Sequence, residues 1–465
     1  ELINFNVTSI GQSPRTPDDK LIAGFWTDIL GVEEISLSDH FFELGGHSLL
    51  ATRVISQVRQ IFETEVSLRS LFENPILSDF VTTVQSSQQN SVRLLPSIAR
   101  TDRLVLSYAQ QRQWLMSQME PDSTAYNIPI AVQLKGALSI ASLRQSLVQV
   151  ARRHDTLRTV YPAVEGIGQP AIKEAAFIDL DFLDLVDLIH LSEKEQRADV
   201  TRYIEQQAQQ PFDLAQGPLW RSQLLRLSDR DYILTITLPH ILADGWSMSL
   251  LLKELTAYYR AHQLNQNLDE VFSSLPIRYT DYAAWQRTLD LSAQVTYWKH
   301  QLSGIAPLLA LPTDYPRSAS VSSAGATYEL RLSKRETAAL QRFSQRNNVT
   351  LFMTLLTAFN ALLYRYSGLD DIAIGTPIAN RQRAELEGLI GLFVNTLVIR
   401  AQIQNNPRLV DLLAQLRKTT LEAYAHQDLP FEQLIDALDV PRSCSHTPLV
   451  QVMFALQDVP QANEP

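Results

Sequence analysis

Residues 234–247, Leu-Thr-Ile-Thr-Leu-Pro-His-Ile-Leu-Ala-Asp-Gly-Trp-Ser, constrain the fold of this 465-residue chain more than any other stretch. Leu234, Ile236 and Leu238 alternate with Thr235 and Thr237, which predicts a half-buried strand with a period of two. Pro239 has no N–H to give a ladder, so the strand ends there and leaves His240 at its exit. Asp244-Gly245 predicts a turn. Ser247 can cap a following helix whose Met248, Leu251, Leu252, Leu255 and Tyr259 recur at helical spacing. An imidazole between a strand end and a helix start sits at an edge, where it can meet a substrate. Asp244 is near enough in sequence to fold back and fix the loop. Taken alone, His-x-x-x-Asp-Gly better describes a satisfied structural histidine in a turn. A metal site would lack its remaining ligands, because no cluster of Cys, His or carboxylates lies nearby and Cys444 is the only cysteine.

The length leaves room for two or three domain-sized units, each with its own core. Hydrophobic residues make up 45% of the chain and charged residues 19%, the balance of a soluble globular protein. A formal net charge of −10 without any basic stripe argues against nucleic acid as a partner. One cysteine excludes a disulfide framework and suits a reducing, cytoplasmic setting. No apolar run approaches the ~20 residues of a membrane span, and no signal peptide is evident. The first residue is Glu1 rather than Met, which reads as a piece of something longer.

Ahead of the central stretch, residues 1–13 read as a linker. Thr16-Pro17-Asp18-Asp19 predicts a helix start, with Leu21, Phe25, Ile29 and Leu30 as its apolar face and Gly31 as its stop. After Phe41-Phe-Glu-Leu-Gly-Gly-His-Ser48, a second helix carries Leu50, Val54, Val58 and Ile61 on one face. A short element near Leu71-Phe72 stops at Asn74-Pro75, and another amphipathic run spans Ile76 to Val84. Residues 14–84 therefore predict a small all-α bundle of four helices. Its odd feature is Ser48, which two glycines deliver to a helix N-terminus that is hospitable to phosphate. On local features alone, an ordinary N-cap serine is the better fit. A hydrolase nucleophile elbow does not fit, since Gly-x-Ser-x-Gly would need a glycine at Leu50.

Asp39-His-Phe-Phe-Glu-Leu-Gly-Gly-His-Ser-Leu-Leu-Ala-Thr-Arg53 resembles the peptidyl carrier domain of nonribosomal peptide synthetases almost residue for residue. The resemblance implies that Ser48 carries 4′-phosphopantetheine, installed by a phosphopantetheinyl transferase, whose thiol holds an aminoacyl or peptidyl group as a thioester. A polar linker follows at 85–93. Beyond it, strand-like and helix-like segments alternate for most of the remaining length, which predicts an α/β or α+β region.

That region resembles the condensation domain of the same synthetases. The matching stretches come in the family's order: Leu106–Trp114 with Pro121–Pro129, Arg153–Thr159, Pro211–Leu219, the His240 loop and Tyr279–Arg287. Ile374–Arg381, Ile390–Thr396, His426–Phe431 and Pro448–Phe454 complete the set. The resemblance implies a two-lobed α/β domain, each lobe like chloramphenicol acetyltransferase, with a tunnel that admits two carrier arms. Its lobes are expected at 94–272 and 273–457, with a C-terminal linker at 458–465.

The family reaction joins an upstream acyl thioester to the amine of a downstream aminoacyl thioester. The catalytic positions carried over are His240, which can bind the amine and take its proton, and Gly245, whose backbone N–H is a candidate oxyanion donor. Asp244 joins them in a structural part, ordering the loop with an arginine, for which Arg381 is the candidate. No metal is implied. Expected partners are an upstream adenylation domain, downstream adenylation and carrier domains, and the thioester substrates. The family has two adjacent histidines, and this chain has Pro239 in place of the first. That departure supports one alternative, an impaired condensation fold that serves as a docking platform for carriers. A free-standing acyltransferase using soluble thioesters is a further reading, opposed by the fused carrier. Gly-Gly-His47-Ser48 favours a condensation partner over an epimerase. The Ser107–Pro129 stretch is most similar to domains that accept an L-configured donor.

Overall fold

The computed structural model of the protein describes residues 12–46, 48–62, 64, 66–88, 98–174, 183–316, 325–440 and 446–457. His47, Cys444 and most of the expected linker residues lie outside them. The backbone divides into two compact units. One comprises Glu1–Pro96, Leu291–Ala384 and Asn395–Pro465, and the other Ser97–Asp290 with Glu385–Val394.

The N-terminal region folds as four helices: α1 (Pro17–Leu30), α2 (Ser48–Phe62), α3 (Leu68–Glu73) and α4 (Leu77–Gln88). Helix α1 starts with a reciprocal capping box, in which Thr16 Oγ1 accepts from the Asp19 N–H and the Asp19 carboxylate accepts from the Thr16 N–H. It ends at Gly31 in the left-handed conformation, φ 67°. Its buried face is Ile22, Ala23, Trp26 and Ile29, one residue round from the expected one, and Leu21 is left 40% exposed. The bulkiest residue sets the phase, because Trp26 meets the Phe41 ring edge-on at 5.0 Å. Helix α2 likewise turns Ala51, Val54, Ile55 and Val58 inward and leaves Ile61 exposed. Helix α4 runs on to Gln88, through the first residues of the expected linker.

In the other unit, α5 (Tyr108–Met119), β1 (Asn127–Lys135) and α6 (Ile140–Arg153) lead into four two-residue strands. These are β2 (Thr159–Val160), β3 (Ala163–Val164), β4 (Ile167–Gly168) and β5 (Ala171–Ile172). Then come β6 (Leu183–Asp187), α7 (Glu193–Ala208), β7 (Arg221–Ser228), β8 (Asp231–Pro239), α8 (Gly245–Gln263) and α9 (Tyr279–Gln286). The main sheet has the order β1-β8-β7-β6, with only the β6–β7 pair parallel. Strand β8 was expected to be half-buried. Instead Thr235 and Thr237 are buried along with Leu234, Ile236 and Leu238, because β8 is a central strand covered on both faces.

The rest of the chain contributes α10 (Ser292–Gln301), α11 (Lys334–Arg346), α12 (Leu351–Ser367), β9 (Asp371–Ile378), α13 (Ala384–Glu387), β10 (Asn395–Gln402), α14 (Leu409–Ala425) and α15 (Phe431–Ala437). Strands β9 and β10 pair antiparallel, and α14 packs on β10. The carrier bundle meets α14 through α3. Phe72, stacked on Phe42 at 4.7 Å, lies 6.2 Å from Tyr424. The Glu73 carboxylate, reinforced by Glu422, raises the Arg69 guanidinium above its ordinary range.

Among the described residues, no single helix is long and apolar enough to cross a membrane. Nor does any group of three His, Cys, Asp or Glu side chains among them suit a metal ion.

Candidate functional site

Two stretches carry the residues singled out by the sequence. In the first, a tight loop delivers Ser48 to the start of α2. Gly45 has φ +99°, open to glycine and strained for other residues. A Cβ on Gly46 would lie 2.4 Å from the Phe41 ring and 2.5 Å from the Phe41 carbonyl oxygen. The Gly46 N–H donates to that same carbonyl at 3.0 Å. The turn is thus folded directly onto a buried aromatic ring, and Ser48 begins a 15-residue helix whose first N–H groups have no intrahelical acceptor.

The second stretch starts where β8 ends. Pro239 pairs with Asn127 as the last step of the β1–β8 ladder, and the next N–H, that of His240, donates to the Tyr126 carbonyl at 2.7 Å. The backbone leaves the sheet fully bonded despite the proline. The loop then winds tightly, with the Leu242 N–H donating to the Pro239 carbonyl at 3.0 Å and that of Ala243 to the His240 carbonyl at 3.3 Å. Nδ1 of His240 lies 2.8 Å from the Ala243 carbonyl oxygen. A carbonyl can only accept, so Nδ1 carries a hydrogen, and Nε2 is the nitrogen left to hold the lone pair of the base form. His240 is partly exposed and borders a cavity whose apolar wall includes Met116, Phe212, Leu214, Pro239 and Ile241.

Asp244, rather than Ser247, is the N-cap of α8, so the helix starts at Gly245. Asp244 Oδ1 accepts from the Ser247 N–H at 2.9 Å and lies 2.8 Å from Ser247 Oγ. Oδ2 accepts from the Phe393 N–H at 3.0 Å. A carboxylate only 3% exposed is thereby committed to holding two chain segments together. Gly245 is not in a left-handed conformation, and a Cβ there would meet nothing within 4 Å.

The segment that Asp244 grips lies in the Ile390–Thr396 stretch, to which the sequence assigned no role in the site. Residues 390–393 form a strap whose backbone groups are taken one by one. The Ile390 N–H donates to His154 Nδ1 at 3.3 Å, which places that ring's hydrogen on Nε2, 2.8 Å from Glu254 Oε2. The Gly391 N–H donates to Ser247 Oγ at 3.0 Å, and the Gly391 carbonyl lies 2.8 Å from the same hydroxyl. The Leu392 carbonyl accepts from Tyr279 Oη, whose phenol burial pushes well above its usual range, so it stays a donor. A Cβ on Gly391 would sit 2.0 Å from the Tyr279 ring, so the strap's close approach needs a glycine there. Gln110 of α5 completes the frame by donating to the Ile241 carbonyl at 3.3 Å.

Residues 100–464 match the family model described as the condensation domain, and residues 20–84 match the phosphopantetheine attachment site. The chain belongs to the condensation-domain family. It joins a carrier domain of the phosphopantetheine-binding kind to a condensation domain of the nonribosomal peptide synthetase class. It is 46% identical over 453 residues to one of the linear gramicidin synthase subunits of Brevibacillus parabrevis, covering 96% of this chain and 9% of that protein. It is 34% identical to a dimodular nonribosomal peptide synthase of Bacillus subtilis, covering 99% of this chain and 19% of that one. The chain thus spans a small fraction of these relatives' length.

Among solved structures, the X-domain from teicoplanin biosynthesis superposes with a TM-score of 0.70 at 28% identity, covering 78% of this chain and 79% of that one. A four-domain nonribosomal peptide synthetase bound to AMP and glycine gives 0.66 at 26% identity, covering 80% of this chain and 28% of that one. The carrier's residues fit the pantetheine group, because the glycine turn that rests on Phe41 opens a long helix at a serine.

Proposed function

We propose that this carrier–condensation fragment forms a peptide bond between two carrier-tethered residues. The observation that carries the reading is the bond from His240 Nδ1–H to the Ala243 carbonyl, which leaves Nε2 as an acceptor at the edge of a cavity. In the reaction the downstream amine attacks the upstream thioester carbonyl, the C–S bond breaks and a thiolate leaves. His240 Nε2 takes the proton shed by the amine and can return it to the departing sulfur. The Gly245 N–H, in the first turn of α8 where the helix supplies no acceptor, is our candidate donor to the developing oxyanion. Asp244 positions rather than reacts, holding the start of α8 to the segment at Phe393. Because the substrates are tethered, bringing them together supplies much of the rate.

Ser48 would hold 4′-phosphopantetheine, which supplies the thiol that carries the acyl group. The transferase that installs it, an L-configured donor, adenylation domains on either side, a downstream carrier and a cytoplasmic setting all belong to this reading. So do domain divisions at 14–84, 94–272 and 273–457. The N-terminal condensation unit keeps its contacts as far as Asp290.

The test loads Ser48 with an aminoacyl-pantetheine, adds a downstream aminoacyl-carrier and follows intact-protein mass. His240→Ala should slow transfer by about 10²- to 10⁴-fold. Pro239→His should leave turnover within about tenfold, roughly 1.4 kcal/mol of barrier, because the proline already leaves the backbone bonded. A gain of several orders of magnitude in that variant, or no transfer by the loaded wild type, would instead support a docking platform.

A further inference from the structure

The cavity beside His240 has an internal polarity that the chemistry of the site does not require. Its lining includes the apolar side chains of Met116, Phe212, Leu214, Pro239 and Ile241, together with the uncharged polar residues Gln113, Ser123 and Tyr126. Two polar residues that also line it are already committed. Asn127 donates its amide to the carbonyls of Ala208 and Gln210, at 2.8 and 2.9 Å, and Ser117 Oγ donates to the Trp114 carbonyl at 2.7 Å. Among the described residues, no Lys or Arg lines the cavity, and the carboxylate that does, Glu120, is exposed at the C-cap of α5.

We infer that this cavity is a side-chain subsite, in which Pro239 and Met116 select an uncharged, apolar residue on one of the two tethered substrates. The inference rests on the reading of His240 given above. An apolar side chain gains by leaving water for such a wall. A carboxylate there would be desolvated with no cation to pair it and with Glu120 repelling it. Pro239 contributes a rigid ring to that wall. Met116 of α5 also lines the cavity, and its flexible thioether tolerates some variety of shape. The departure from the paired histidines thereby acquires a purpose in recognition.

Either the donor or the acceptor residue could occupy the subsite, and the experiment separates them. The full chain, loaded at Ser48, is presented with alanine, leucine, phenylalanine, asparagine and aspartate. One arm varies the donor and the other the acceptor, and transfer rates come from intact mass. In one arm only, leucine should outrun aspartate by about tenfold or more, and Met116→Trp should cut leucine and phenylalanine relative to alanine by about tenfold. Met116→Ala should raise phenylalanine relative to leucine in that same arm. Side-chain ratios unmoved by both Met116 variants in both arms would overturn the subsite. A His240→Ala variant that transfers at the wild-type rate would instead overturn the reading on which it rests. Far-ultraviolet circular dichroism of each variant checks that the fold is kept.

Discussion

Two glycine-bearing loops each bring one polar residue to the start of a helix, yet they use their glycines differently. Before Ser48, Gly45 has a positive φ and Gly46 lies against the Phe41 ring, so the turn itself demands them. Before α8, Gly245 has ordinary backbone geometry and open space around its missing side chain. The first loop needs glycine in order to fold. The second folds without it, and the room is left for something else. Rigidity is also supplied differently. The carrier turn rests on an aromatic core of Trp26, Phe41 and Phe80, whereas the His240 loop is held by a buried network from Asp244, Ser247 and Gln110.

The largest effect expected from this contrast is at Ser48. Ser48→Ala should abolish the mass gain on treatment with a phosphopantetheinyl transferase and with it all transfer from this carrier; a retained gain would place the attachment elsewhere. Next is Asp244→Asn, which turns an amide N–H₂ toward donors that need an acceptor. Unfolding in urea should show a loss of about 1–3 kcal/mol, the cost of buried groups left unpaired. Gly46→Ala forces a carbon into the Phe41 ring and should cost the carrier bundle a similar amount, about 1–3 kcal/mol, by overpacking, read as a lower midpoint of carrier unfolding. Smallest is Gly245→Ala, expected to change stability by less than about 0.5 kcal/mol. A fall in transfer rate with stability intact would show that the open space serves substrate. A large loss of stability would break the contrast between the two loops.

Much of the carrier was legible in the chain because its signals are local. Thr16, Pro17 and Gly31 set the ends of α1 through neighbours within a few residues. What misled was the phase of the helix. Leu21 and Phe25 satisfy helical spacing as well as Ile22 and Trp26 do, and only the edge-on contact with Phe41 decides between them. At the other loop, the alternation of β8 marked a strand correctly and still missed that both its faces are covered. The assignment of Ser247 as the cap was displaced by Asp244 for a related reason. Both can cap a helix, and the choice follows from Asp244 also being needed by Phe393, 149 positions away.

The sequence by itself determined the two-part organisation, the four-helix carrier, the serine at a helix start and the histidine at a strand exit. Each of these follows from periodicity, capping chemistry or motif spacing within a short window. Only the tertiary structure decided that Nδ1 of His240 carries the hydrogen, that Asp244 is a clamp, and that residues 390–393 form the strap it holds. Those facts depend on which backbone groups meet across long stretches of chain. A buried donor or acceptor takes whichever partner folding brings to it, and no local pattern encodes that choice.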